Sequence, residues 1–163
     1  MLQAGTGSQC VVSGGKITSQ SAFGWHEWYP YSWVDFSNFP ISPGDTVHSL
    51  VCAPAGAGAT LGYVILSNAS TGQYASVQLT APPGTQLLGN CAEWIMEDPG
   101  VGGSEAPFPD YGTEFFYDCQ AGTAKGSEMN LSSATYVNLV QGGTTLSTAV
   151  PEGATILMTT SGP

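Results

Sequence analysis

Thr60-Leu61-Gly62-Tyr63-Val64-Ile65-Leu66-Ser67 is followed by Asn68-Ala69-Ser70-Thr71-Gly72. Gln73-Tyr74-Ala75-Ser76-Val77-Gln78-Leu79-Thr80 is then closed by Ala81-Pro82-Pro83-Gly84. Two short β-type runs, each ended by turn residues, decide the fold class. Proline fixes φ and glycine supplies φ > 0, so these turns interrupt the strands rather than extend them. The same cadence runs outward in both directions. Upstream, Ala22–Tyr29 and Thr46–Ala53 read as strands, with Ser42-Pro43-Gly44-Asp45 as a turn between them. Downstream, Cys91–Glu97, Thr113–Asp118, Thr135–Val140, Thr144–Thr148 and Ala154–Thr159 read as strands, with Gln141-Gly142-Gly143 as another turn. There is almost no 3.6-residue periodicity. The pattern predicts an all-β antiparallel sandwich or barrel. No linker, repeat or low-complexity tract interrupts it, so residues 1–163 are expected to form a single domain with a real core. The stretch Pro99–Gly112, with three prolines and four glycines, reads as a long loop, and long loops in compact domains are often functional.

Charge narrows the function. The chain has 12 acidic residues, two lysines (Lys16 and Lys125), no arginine and a formal charge of −10. Nothing could neutralise phosphates, so nucleic acid is excluded as a partner. No apolar run approaches the roughly 18–20 residues of a membrane span, and no membrane partner is expected. No cationic-then-apolar leader follows Met1, so either a targeting segment has been removed or the chain is a fragment. In acid the carboxylates protonate and only about five positive groups remain, so acid expansion by self-repulsion is weak. Seven acids fall between Glu93 and Asp118. Their crowding predicts raised folded-state pKa values, and with them a fold more stable at pH 3–4 than at pH 8. Cys10, Cys52, Cys91 and Cys119 lack metal-ligand spacing, and their even count predicts two disulfides and an oxidising compartment. The sequons at Asn68 and Asn130 predict glycosylation and agree with secretion.

The chain has no G-x-S-x-G elbow, no C-x-x-C and no H-E-x-x-H. His26 and His48 read as structural, and Asp35, Asp45, Asp110 and Glu114 as turn or surface residues. Side chains alternate along a strand. In Cys91–Glu97, Ala92, Trp94 and Met96 therefore share a core-directed face, and Glu93, Ile95 and Glu97 share the other. In Ala22–Tyr29, Trp25, Glu27 and Tyr29 share a face, and a carboxylate between two aromatics suits the wall of a cleft.

Six segments in order resemble the glutamic peptidases, the eqolisin family. Leu2-Gln3-Ala4-Gly5 is similar to the run that carries the family's catalytic glutamine. Trp25-His26-Glu27-Trp28-Tyr29-Pro30, Ile41–Asp45 and Asn68–Gln73 resemble three of its structural segments. Ala92-Glu93-Trp94-Ile95-Met96-Glu97 resembles the segment whose last glutamate is catalytic, and Pro107–Gly112 resembles one of its loops. The resemblance weakens after about Asp118. Two departures stand out. The roughly fifty residues that precede the leucine-glutamine run in the family have no counterpart here. Phe23 stands where the family often has an aspartate.

The resemblance implies a β-sandwich of two antiparallel sheets, lacking its first strands, and acid endopeptidase activity on polypeptides. Glu97 would activate a water and Gln3 would stabilise the oxyanion. Trp25 and Glu27 would wall the cleft. No metal, cofactor or covalent intermediate is implied. The missing front segment would belong to the same polypeptide or to a separate partner chain. If Gln3 and Glu97 converge on one water, their segments are antiparallel neighbours. Cys10 would then pair with Cys91, leaving Cys52 to Cys119. Two other classes stay open: a carbohydrate-binding β-sandwich, with Trp25, Trp28, Tyr29, Tyr31 and Trp33 stacking on sugars, and a catalytically inactive relative.

Overall fold

The computed structural model describes residues 1–98, 100–101, 104–105, 107–123 and 125–161. The chain divides into two compact units, residues 1–90 and 91–163, each with its own apolar core. Every strand pairing is antiparallel.

In the first unit, β1 (Leu2–Ser13), β2 (Lys16–Trp28) and β3 (Val34–Pro40) form one sheet in that order. A second sheet holds β4 (Val47–Cys52), β5 (Leu61–Asn68) and β6 (Gln73–Thr80). The expected strands Thr60–Ser67 and Gln73–Thr80 are thus β5 and β6. Burial alternates strictly at the start of β5: Gly62, Val64 and Leu66 are buried while Leu61 and Tyr63 are exposed. Leu2, Trp28, Val64 and Ala81 form the core, with Phe36, Val77 and Leu79 packed on it, so the inner faces of the two sheets meet. Full burial of an aliphatic side chain such as Leu2 or Val64 stabilises by about 1.5–3 kcal/mol. The approach is closest at Gly62, where a Cβ would lie 2.3 Å from Leu2 Cδ2 and 3.1 Å from Trp28 Cζ3.

Two strands of this unit, β1 and β3, were not expected, and β2 begins six residues before the expected Ala22. β1 and β2 are joined by Gly14-Gly15, with φ of 58° and 73°, which is the two-residue hairpin turn that needs positive φ at both positions. β3 carries Asp35, Ser37, Asn38 and Pro40, poor strand formers that are held by pairing with β2.

The turns of the second sheet are tied together through Asn68, which is completely buried. Its Nδ2 donates to Asp45 Oδ2 at 2.8 Å, and its Oδ1 accepts from the Ser70 and Thr71 amides at 3.0 and 3.2 Å. The Ser42 amide donates to the same Asp45 oxygen at 2.9 Å. A glycan would attach at Nδ2, and this nitrogen is enclosed and already donating. The Asn68 side chain therefore serves as a structural tie between these turns. Asn130 is exposed and caps the short 3-10 turn Leu131–Ser133.

In the second unit, β7 (Gly100–Val101) pairs with β8 (Ser104–Glu105), and residues 107–112 make no ladder. Pro99, Gly102, Gly103 and Ala106 of the expected loop lie outside the described residues. After β9 (Thr113–Phe116), β10 (Gln120–Gly122) pairs with β11 (Glu128–Asn130). β12 (Leu139–Gln141), β13 (Thr144–Glu152) and β14 (Thr155–Thr160) follow, and the main sheet has the order β12-β13-β14-β9. Its core is Cys119, Leu131, Ile156 and Met158, with Trp94, Met96 and Tyr136 packed against it.

Two expectations fail here. Cys91–Glu97 belongs to no ladder. Trp94 and Met96 anchor the segment by side-chain burial, while Ala92 is exposed. All four cysteines are free thiols, so neither Cys10–Cys91 nor Cys52–Cys119 is bridged. That pairing required β1 and the Cys91–Glu97 segment to be ladder neighbours. The Cys91–Glu97 segment has no ladder partner among the described residues, and within its own sheet Cys10 lies opposite Gln20.

Candidate active site

Gln3 lies near the start of the chain, where a strand frays unless its neighbours hold it. Leu2 does this from one side. It is buried in the core and paired with Trp28 in the ladder. The Tyr29 amide donates to the Met1 carbonyl at 2.9 Å and closes the ladder beyond it. Since Leu2 and Trp28 face the core, their neighbours Gln3 and Glu27 face the opposite, open side of the sheet. They are direct cross-strand partners, and Gln3 Nε2 donates to Glu27 Oε2 at 2.5 Å. The bond fixes which end of the amide is the donor and holds the half-buried glutamine in one orientation.

Trp25 lies two residues from Glu27 on the same open face, opposite Gly5. A Cβ at Gly5 would touch the indole at 3.4–3.5 Å, so the missing side chain lets the ring lie close over β1. Asp35 of β3 is the partner of Trp25 on the other side. The structure therefore brings Gln3, Trp25 and Glu27 together, as the sequence pattern anticipated for Trp25 and Glu27. Tyr29 falls just past the end of β2 and is exposed.

Glu97 belongs to the second unit. It is exposed, next to Met96, which packs on that unit's core. Glu93 and Ile95 are exposed as well, so the alternation expected for this face persists without a ladder. Glu93 Oε1 accepts a hydrogen bond from Cys91 Sγ at 3.2 Å, which pushes the Cys91 thiol pKa up.

His26, between Trp25 and Glu27, faces inward, with its ring edge-on to Phe36 at 4.7 Å, and burial lowers its pKa. His48 is exposed on β4. The hydrogen bond of Gln3 runs to Glu27, on the face opposite His26. Sequence reasoning missed a neighbouring aromatic pair, Phe23 stacked on Trp33 with centroids 5.2 Å apart. The signal for it was the spacing Gly5-x-Gly7 in β1, which leaves room for two rings on the facing strand.

A family model described as the Peptidase A4 family matches residues 1–160. Aspergillopepsin-2 of Aspergillus niger is 33% identical over 135 residues, covering 83% of this chain and 46% of that protein. Scytalidopepsin B of Scytalidium lignicola is 32% identical over 123 residues, covering 71% of this chain and 46% of that protein. The crystal structure of aspergilloglutamic peptidase from Aspergillus niger superposes with a TM-score of 0.80 at 30% identity, covering 98% of this chain and 89% of that one. The chain spans about half the length of the curated relatives it matches.

Proposed function

The chain belongs to the Peptidase A4 family, and from that premise we propose that it is a secreted acid endopeptidase whose single β-sandwich domain, residues 1–163, hydrolyses peptide bonds with Gln3 and Glu97. The observation that carries the reading is the Gln3 Nε2–Glu27 Oε2 hydrogen bond on the open sheet face beside Trp25. It holds an uncharged amide donor in a fixed pose on an accessible surface. That is the requirement for stabilising a developing oxyanion, and the amide remains a donor at any working pH because it does not titrate in that range. The single-domain reading is supported by one family model spanning residues 1–160. Secretion is supported by the acidic composition and by the exposed Asn130 of the second sequon.

In the proposed mechanism, Glu97 in its ionised form takes a proton from a water held between it and Gln3. The oxygen of that water attacks the scissile carbonyl, and a Gln3 N–H donates to the oxyanion. Protonated Glu97 then passes its proton to the leaving amine. General acid–base transfer of this kind contributes about 10²–10⁴-fold, and one oxyanion donor about 10²–10³-fold. Glu27 orients Gln3, and Trp25 walls the bound peptide. The proposal includes as a partner the family segment that precedes the leucine-glutamine run, supplied in the same polypeptide or as a separate chain.

The test is digestion of denatured casein at pH 3, with and without that segment, by wild type, Glu97→Gln and Gln3→Ala. Both variants are expected to lose activity while melting like wild type. Chelators and serine- or cysteine-directed reagents are expected to have no effect. A Gln3→Ala protein that digests casein as fast as wild type refutes the mechanism.

A further inference from the structure

The open face of the first sheet continues well past Gln3 and Glu27. Gly24 is buried against the core, where a Cβ would lie 2.7 Å from Leu66 and 2.8 Å from Phe39. Its neighbours Phe23 and Trp25 therefore project from the opposite face, the one that carries Glu27. Phe23 lies opposite Gly7, and a Cβ there would come within 2.7 Å of the ring. The Phe23 ring stacks on Trp33 with 14° between the planes, and Trp33 keeps 50% of its surface exposed. Beside this pair the β2–β3 ladder is broken. Trp25 pairs with Asp35 and Phe23 with Pro40, so four residues of β3, 36–39, face Gly24 alone. The bulge opens a hollow of about 540 Å³ lined in part by Phe23, Asp35, Phe36, Ser37 and Asn38. Bulges of this kind re-aim side chains beside binding sites.

Phe23 is four residues from Glu27 along β2, about 13 Å at 3.3 Å per residue. A peptide lying extended along the strands advances at the same rate. With its scissile bond at Gln3, a side chain about four residues away reaches the Phe23–Trp33 pair and the hollow. We propose that Phe23, Trp33 and the β3 bulge form a remote subsite for an aromatic or bulky apolar side chain of the polypeptide substrate, a proposal that rests on the peptidase reading above. Continuity along one sheet face identifies the occupant as the substrate itself. The lining offers aromatic faces and one carboxylate, Asp35, and no cation, so an acidic side chain is disfavoured there.

The experiment compares peptides that share one cleavable core and differ only in a Phe, Ala or Asp placed three to five residues from the bond on either side. For wild type, kcat/KM with Phe is expected to exceed that with Ala by on the order of tenfold at one position, with Asp lowest. The Phe-to-Ala ratio is expected to fall to about one in Trp33→Ala and in Phe23→Asp, and to recover in Trp33→Tyr. The ratio is read within each variant, so a general loss of activity does not imitate the effect. The same peptides are titrated onto Glu97→Gln protein with and without Trp33→Ala, followed by calorimetry. This arm reads the subsite without turnover. If no peptide is cleaved even with the preceding family segment supplied, but Trp33-dependent preference for Phe persists in binding, the peptidase reading fails and the subsite stands. A ratio unchanged by Trp33→Ala in both arms overturns the subsite. So does Trp33-dependent retention on insoluble glycans without any Phe preference, which would make the aromatic pair a sugar platform.

Discussion

Asn68→Ala is expected to cost far more than an ordinary substitution in a turn. The side chain is completely enclosed, and its Oδ1 accepts from the Ser70 and Thr71 amides. Each of those bonds contributes about 0.5–1.5 kcal/mol net, and truncation also leaves a cavity without solvent access. The total is about 2–4 kcal/mol, or roughly 4–16 °C in Tm for a chain of this size. The Asp45 contact is left out of that sum because water reaches the carboxylate. Asn68→Asp probes that contact separately. It keeps the acceptor for Ser70 and Thr71 but replaces the donor facing Asp45 Oδ2, 2.8 Å away, with a second carboxylate. Two carboxylates at that distance share one proton, so one folded-state pKa rises above its unfolded value. The stability from that shared proton is present below the unfolded pKa and is lost as pH rises through the folded one. Urea unfolding followed by circular dichroism at pH 3.5 and pH 7 measures both effects. The Asn68→Asp deficit relative to wild type is expected to be larger at pH 7. If Asn68→Ala lies within about 1 kcal/mol of wild type, or if glycosidase treatment shows a glycan on Asn68, the account of this turn is wrong.

Acid stability is expected to run opposite to what crowded charge alone suggests. The Ser42 amide, then the Asn68 amide, hold the Asp45 carboxyl below its ordinary value, and the Thr160 hydroxyl, then the Gly112 amide, do the same for Asp110. Depressed carboxylates contribute stability above the unfolded value of about 3.9 and lose it as pH falls through the folded one. His26, lowered by burial, acts in the same sense below about 6.5. Thermal melts at constant ionic strength are expected to give a lower midpoint at pH 3 than at pH 6, and a higher midpoint at pH 3 would contradict this. Gly62→Ala is expected to destabilise by about 1–3 kcal/mol, because its Cβ would overlap Leu2 and press on Trp28. Those two residues seat Gln3 and Glu27, so kcat is expected to fall along with stability, and unchanged casein digestion would show that the ladder end tolerates displacement.

The strands that were legible in the sequence are those whose own residues specify them. β6 has the bounds its pattern predicts, and β4, β5 and β14 lie within about a residue or two of theirs, because turn residues bracket each run. β1 and β3 were illegible for the opposite reason. Leu2–Ser13 contains two glycines and few strong strand formers, and β3 contains Asp, Asn and Pro. Their partners make them strands. Cys91–Glu97 shows the reverse error, since its residues suit a strand but no ladder neighbour is present among the described residues. The disulfide expectation inherited that error, as it was built on an assumed neighbour.

The site divides along the same line. Alternation was enough to put Trp25 and Glu27 on one face, since a two-residue period needs only the local chain. Gln3 could not be found that way. An amide near a terminus has no compositional mark, and only its likeness to a family segment singled it out. What makes Gln3 a fixed donor is long-range: a ladder partner 24 positions away, and a core residue, Leu2, seated over a glycine on β5. The two glycines of β1 express the same dependence in sequence form. Gly5 and Gly7 weaken β1 as an isolated strand, yet each leaves the space that Trp25 or Phe23 fills from β2. A glycine pair at two-residue spacing therefore marks where the facing strand lays its aromatic rings. Here those rings run along the open face from the Gln3–Glu27 pair toward the β3 bulge, and this is why the proposed oxyanion donor and the proposed remote subsite are expected to respond to substitutions on the same strand.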